Sequence, residues 1–100
     1  MGFLDSLRSY EGSWSETTRE KLSASDVKSV DSIIVVEKIQ DWGTSTSMCF
    51  IMKSGVKKFV PLSRDSSLEE GDEVKPESVE IITLERDGNE PIYRCDGEVK

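Results

Sequence analysis

Four consecutive β-branched residues, Ile33 to Val36, constrain the fold of this chain more than any other feature. The run is too short for a confident helix, polar residues flank it, and β-branched side chains favour extended backbone. Apolar residues point to both faces at Ile33 to Val36, whereas only Ile39 continues the pattern afterwards. We therefore predict a first strand over residues 32–40 that is covered on both faces at its start and on one face at its end.

Two further strand-like runs, residues 48–53 and 56–62, follow around Ser54 and Gly55. A two-residue loop at these positions would place Phe50 opposite Phe59 as a cross-strand aromatic pair, and we expect both rings in the core. Pro61 has no N–H to give to a ladder, so it predicts the edge or the end of a strand. This segment is therefore predicted to be a hairpin with one exposed edge.

The remaining regular elements are shorter. Residues 79–86 and 91–95 are predicted to form a second hairpin around the turn residues Asp87 to Glu90. Ser23 with Asp26 three positions later resembles a capping box and predicts one helical turn over residues 24–30. The polar stretch from Ser13 to Leu22 indicates coil.

The length of 100 residues fits a single domain with one modest core. We expect a partly ordered N-terminal arm at residues 1–22, one β domain at 23–96 and a frayed C-terminus at 97–100. The arm contains Phe3 and Trp14, which either dock on the domain or contact a partner. The predicted fold is mainly β: a small antiparallel five-stranded barrel or curled sheet, with a short helical turn before the first strand.

A short segment adds a resemblance at the level of architecture. Leu68 to Val74, with the sequence Leu-Glu-Glu-Gly-Asp-Glu-Val, resembles the Leu-x-x-Gly-Asp-x-Val turn of small β-barrels of the OB-fold and SH3-like kinds. In those families the glycine adopts a conformation closed to other residues, and the apolar pair holds the turn against the barrel. The resemblance covers seven residues, and it implies an OB-like or SH3-like barrel without implying a ligand or a reaction.

Charge is distributed unevenly along the chain. Residues 1–62 carry eight acidic and eight basic residues, so the entire net charge of −7 comes from residues 63–100, which carry twelve acidic and five basic ones. Such an acidic surface raises solubility and opposes non-specific adhesion to nucleic acid or to anionic membranes. The C-terminal third is therefore either a solvated surface or an acidic binding face.

Composition excludes several kinds of chemistry. The chain has no histidine, which excludes His-based acid–base catalysis, Ser-His and Cys-His nucleophile pairs and imidazole metal sites. Cys49 and Cys95 are too few and too far apart in sequence for a structural zinc site, and we expect both to be buried, reduced thiols. We expect no catalytic residue, no cofactor and no bound metal, and hence a protein that is not an enzyme.

The apolar runs and the N-terminal residues bear on location. No apolar run approaches the length that spans a bilayer, and residues 1–9 lack the pattern of an export signal. These two observations predict a cytoplasmic protein that does not enter a membrane.

The function predicted from these observations is a non-catalytic binding or accessory module that engages a protein partner. The partner would contact an acidic C-terminal face, an exposed strand edge, or both. The candidate partner-binding residues are Glu69, Glu70, Asp72, Glu73, Phe3 and Trp14.

Two alternatives remain open. In the first, the chain is an OB-like protein that binds single-stranded nucleic acid through a hairpin rich in lysine and aromatic residues, with Lys53, Lys57 and Lys58 as the contacts. In the second, it is a small acidic inhibitor or nucleic-acid mimic that occupies a basic groove on its target. Oligomeric state does not follow from the sequence.

Overall fold

The structure, a computed structural model, describes residues 14–40 and 43–100. Within this part of the chain there are six strands, an α-helix and a 3-10 helix. In chain order they are β1 (Ser15–Lys21), α1 (Ala24–Ser29), β2 (Val30–Gln40), β3 (Gly43–Met52), β4 (Lys57–Pro61), the 3-10 helix Pro76–Ser78, β5 (Glu80–Glu85) and β6 (Ile92–Asp96). The strands form two three-stranded antiparallel sheets, in the orders β2–β3–β4 and β1–β5–β6.

The prediction of a buried strand at the β-branched run is confirmed. β2 extends through Ile33 to Val36, and Ile33 and Val35 are both 0% exposed, while Ile34 and Val36 on the opposite face are half-buried. The strand begins two residues earlier than predicted, at Val30, and pairs along its length with β3. Both faces of β2 are thus covered where its β-branched residues lie.

The second edge of β2 is covered by the loop that precedes the 3-10 helix. The N–H of Val35 donates to the carbonyl oxygen of Asp72 (2.9 Å), and the N–H of Gly71 donates to the carbonyl oxygen of Val35 (2.8 Å). Gly71 has φ +93°, a conformation that glycine adopts without strain. Leu68 and Val74, on either side of this turn, are 7% and 1% exposed and belong to the core. The local geometry predicted for this turn is therefore present.

A strand occupies the segment that we predicted to be coil. Ser15–Lys21 forms β1 and pairs antiparallel with β5, and every residue of β1 is exposed. Sequence patterning detects a strand through its buried side chains, and β1 buries none. Mixed charges, here Glu16, Arg19, Glu20 and Lys21, are typical of edge strands that avoid pairing with other molecules.

The predicted register of the first hairpin is wrong by one residue. Cys49, not Phe50, lies opposite Phe59, because the loop contains three residues, Lys53 to Gly55, instead of two. The loop closes with the N–H of Gly55 donating to the carbonyl oxygen of Met52 (2.8 Å), and Gly55 takes φ +93°. A turn that ends in a left-handed glycine is a common three-residue hairpin loop.

The change in register separates the two rings that we expected in the core. Phe50 is buried with the core residues, as predicted, whereas Phe59 is 41% exposed on the opposite face of the β2–β3–β4 sheet. Alternate residues of a strand point to opposite faces, so one added loop residue is enough to move a side chain from one face to the other.

The two sheets meet without forming a continuous ladder. One parallel bridge joins Leu62 to Cys95, and the N–H of Ser63 donates to the carbonyl oxygen of Cys95 (2.8 Å). The mainly β, antiparallel character of the prediction is confirmed. The closed five-stranded barrel is not, because six strands lie in two separate sheets.

The shorter predicted elements are confirmed with small shifts. The Ser23 hydroxyl accepts a hydrogen bond from the N–H of Asp26 (3.1 Å) and caps α1, which ends at Ser29. β5 and β6 form the second hairpin, and β5 has buried or half-buried residues on both of its faces.

Residues 98–100, expected to be frayed, instead pair with residues 73–75, and the N–H of Lys100 donates to the carbonyl oxygen of Glu73 (2.8 Å).

The buried half of β2 predicts a large difference between two substitutions in the same strand. Ile33→Ala removes a side chain that is 0% exposed and should lower the free energy of unfolding by about 2–5 kcal/mol. Ile39→Ala, at a position 83% exposed, should change it by less than about 0.5 kcal/mol. Urea denaturation of both variants measures the difference, and equal losses would contradict the assignment of the core face.

Candidate functional site

The candidate site is the surface around the open edge of β4. It is built from a short strand, a lysine-rich turn and an exposed aromatic ring, all positioned by the three-residue loop of the first hairpin. The geometry of its backbone decides what it can bind.

The even-numbered residues of β4 direct their main-chain groups toward β3. The N–H of Met52 donates to the carbonyl oxygen of Val56 (2.8 Å) at one end, and the N–H of Leu62 donates to the carbonyl oxygen of Thr46 (3.1 Å) at the other. Because hydrogen-bonded positions alternate along an antiparallel pair, Lys58 and Val60 between them also face β3.

Lys57, Phe59 and Pro61 therefore turn their main-chain groups away from β3, toward the free side of the strand. Ser63, next in this series, donates its N–H to Cys95 of β6. The following bond of a parallel ladder would need an N–H at Pro61, which proline lacks, so pairing with β6 ends there. The main-chain groups of Lys57 and Phe59 have no backbone partner among the described residues, so β4 has an open edge, as predicted from Pro61.

The side chains beside this edge combine an aromatic ring with positive charge. The Lys38 Nζ lies 4.7 Å from the centroid of the Phe59 ring, within the range of a cation–π contact. Lys53, Lys57 and Lys58, the predicted nucleic-acid contacts, are all exposed at the same end of the hairpin. Lys38 thus lies over the exposed ring, Lys57 shares its face of β4, and Lys53 and Lys58 add positive charge at the turn and on the other face, in a chain whose net charge is −7.

The acidic residues predicted to bind a partner are arranged less favourably. Glu69 and Glu70 are exposed, but Asp72 uses a carboxylate oxygen to accept a hydrogen bond from the N–H of Glu69 (2.8 Å). Glu73 pairs with Lys100, with 3.4 Å between carboxylate oxygen and Nζ. Asp72 therefore serves the turn that covers β2, Glu73 is exposed but paired with Lys100, and Glu69 and Glu70 remain as an exposed acidic surface.

The predicted residues of the N-terminal arm divide into two groups. Phe3 lies outside the described residues. Trp14 is half-buried beside the β1–β5–β6 sheet, where it lines a groove together with Arg19, Arg64 and Arg94. These arginines have no joint signal in the sequence because they are far apart in the chain. The pairing of β1 with β5 and the approach of β4 to β6 bring them together.

Both cysteines are free and buried, as predicted. Cys95 belongs to the core, where its Sγ lies 3.4 Å from the carbonyl oxygens of Val60 and Pro61. Burial raises the pKa of the Cys95 thiol to about 12, so the thiol stays protonated at neutral pH and is a poor nucleophile. Cys49 is 5% exposed on the face of the sheet that carries Phe59.

Comparisons with known proteins give no further assignment. Comparison with protein-family models, with curated proteins and with solved structures finds no match to this chain. Among residues 14–40 and 43–100, no three His, Cys, Asp or Glu side chains are grouped so that they could hold a metal ion. In the same part of the chain, no helix is long and apolar enough to cross a membrane. The site must therefore be interpreted from its own geometry.

The raised pKa of Cys95 predicts an alkaline loss of stability. Above about pH 9 the unfolded thiol ionises while the native thiol, with a pKa of about 12, keeps its proton, so stability falls as pH rises. Between about pH 9 and 10.5 the free energy of unfolding should fall more steeply for the native sequence than for Cys95→Ala, by up to about 1 kcal/mol per pH unit. Urea denaturation across this pH range measures both slopes, and parallel slopes would contradict the burial of the thiol in the native state.

Proposed function

We propose that this protein is a non-catalytic binding module that engages a protein partner at the open edge of β4. The occupant we propose is an extended, acidic segment of that partner, which adds a strand beside Lys57 and Phe59. The observation that carries the proposal is the outward orientation of the Lys57 and Phe59 main-chain groups, next to an exposed ring and four lysines.

Addition of a strand explains how such a short edge could bind with specificity. Main-chain hydrogen bonds supply affinity that does not depend on sequence, and alternate side chains of the added strand supply selectivity. On one face they would meet the Phe59 ring and Lys57, and on the other they would meet Lys58. Carboxylates complement these lysines, so an acidic segment is favoured over a basic one.

The edge of β4 fits this role better than the edge of β1. β1 carries both acidic and basic side chains along its length and has no exposed aromatic residue. Mixed charge favours no single partner, whereas the lysines of the β4 edge oppose pairing with basic segments and with copies of the same edge and complement an acidic strand. The exposed Glu69 and Glu70 form a second, acidic surface, and two carboxylates on a solvated turn give less basis for affinity than an open ladder.

The main test isolates the outward N–H of Lys57. Lys57→Gln removes the charge and keeps the N–H, whereas Lys57→Pro removes both and leaves the bonds between β4 and β3 intact. The probe is a short peptide of alternating Glu and Val. Its binding is measured from the changes in amide chemical shift of the protein during an NMR titration. We expect binding to weaken about fivefold in Lys57→Gln and at least about tenfold further in Lys57→Pro.

Two controls give this test its meaning. Lys21→Gln removes one positive charge from an exposed position on β1, in the other sheet, and should leave the affinity unchanged. A peptide of alternating Lys and Val should not bind. Equal affinities for Lys57→Gln and Lys57→Pro would show that no strand is added at this edge.

A second candidate function is binding of single-stranded nucleic acid, favoured by the contact between Lys38 and the exposed Phe59 ring. Exposed rings stack on bases, and neighbouring lysines attract phosphates. This function predicts affinity for a short thymidine oligonucleotide that falls steeply with salt and is lost when Lys53, Lys57 and Lys58 are changed to Glu. Fluorescence anisotropy measures it, and no binding at low salt would exclude it.

A further inference from the structure

A groove runs along the outer face of the β1–β5–β6 sheet and reaches the end of β4. It consists of two adjoining cavities of about 410 Å³ and about 630 Å³ that share the lining residues Ser63, Arg64, Ile92 and Arg94. Volumes of this size match those of small-molecule sites. The predicted acidic residues do not line this groove, which meets β4 at its end, at Pro61.

Arginine is concentrated in this groove. Of the five arginines in the chain, three line it, and they come from three separate segments: Arg19 from β1, Arg64 from the loop after β4 and Arg94 from β6. The acidic residues that line the same cavity are Glu16 and Asp65. The groove therefore has a positive balance of charge in a chain whose net charge is −7.

The arginines differ in their engagement with the protein. Arg19 donates to a carboxylate oxygen of Glu16 (2.8 Å), and this hydrogen bond raises the pKa of Arg19 further above neutrality. Arg64 and Arg94 each also have an interaction within the chain. A guanidinium has five N–H donors in a fork that matches phosphate oxygens, so an internal partner leaves further donors for a ligand.

The groove also has an apolar side and hydroxyl donors. The floor of the groove includes Ile82, which is 2% exposed, and the half-buried Leu84 and Ile92. Trp14 lines the same cavity. Ser63 lines both cavities together with Arg64 and Arg94. Its hydroxyl accepts a hydrogen bond from the N–H of Asp65 (3.3 Å), which leaves the hydroxyl proton able to donate to a ligand. Phosphate donors and an apolar aromatic side thus lie within one groove.

We propose that this groove binds a phosphorylated ligand with a planar ring, of the size and chemistry of a nucleoside monophosphate. The phosphate is held by Arg64, Arg94 and the Ser63 hydroxyl, and the ring packs against Trp14 and Ile92. Bidentate bonds from guanidinium groups are the strongest hydrogen bonds that a protein offers to phosphate. The apolar side of the groove is suited to a flat ring.

The test follows the fluorescence of Trp14 in a Trp42→Phe background, so that one tryptophan reports on the groove. The probes are adenosine monophosphate, adenosine and inorganic phosphate. We expect saturable binding of adenosine monophosphate, weakened at least about tenfold when either the phosphate or the ring is missing. Equal affinity for inorganic phosphate would overturn the assignment of the ring, and no saturable binding at millimolar probe and low salt would overturn the site.

Matched charge variants separate the groove from general attraction. Arg64→Gln and Arg94→Gln should each weaken binding of adenosine monophosphate at least about tenfold. Lys28→Gln removes one positive charge from an exposed position on α1, which leads into the other sheet, and should leave it unchanged. Circular dichroism and urea denaturation of each variant show that the fold is kept, and equal weakening in all three variants would overturn the proposal.

Discussion

The fold depends on the placement of β2, which is paired on both edges and covered on both faces. β3 bonds to one edge, the segment around Gly71 bonds to the other, and Ile33 and Val35 supply side chains to the core. Most of the remaining chain is positioned by these contacts. The residues after Gly71 in turn pair with the C-terminal residues, so the end of the chain is held to the first long strand through one intervening segment.

The electrostatic character of the molecule is local and not described by its net charge. Although the C-terminal third is acidic, both candidate binding surfaces are basic: the end of the first hairpin carries Lys53, Lys57 and Lys58 with Lys38 over the Phe59 ring, and three arginines line the groove beside Trp14. Within a Debye length of about 10 Å, nearby charges outweigh the total, so an acidic protein can still attract anions to selected surfaces. The net charge alone therefore predicts neither of these two basic surfaces.

The elements that could be predicted correctly are those that depend on local sequence patterns. The β-branched run, the Ser23 cap, the Gly71 turn and the second hairpin each have a signal within a few residues. The register of the first hairpin has a weaker signal, because a left-handed glycine suits the last position of a two-residue or a three-residue loop. The three-residue loop keeps Ser54 out of the positive φ that a type I′ turn requires. β1 has no buried residue to mark it, and the arginine groove joins residues separated by up to 80 positions.

Pro61 has a consequence for the connectivity of the whole molecule. It occupies a position where any other amino acid would present a donor to β6, and the bridge between Leu62 and Cys95 stops beside it. One backbone nitrogen without a proton therefore removes the next ladder bond between the two sheets, at the point where their bridge ends. The ring of Pro61 also limits how far β6 can pair along β4, and the main-chain groups of Lys57 and Phe59 before it have no backbone partner among the described residues.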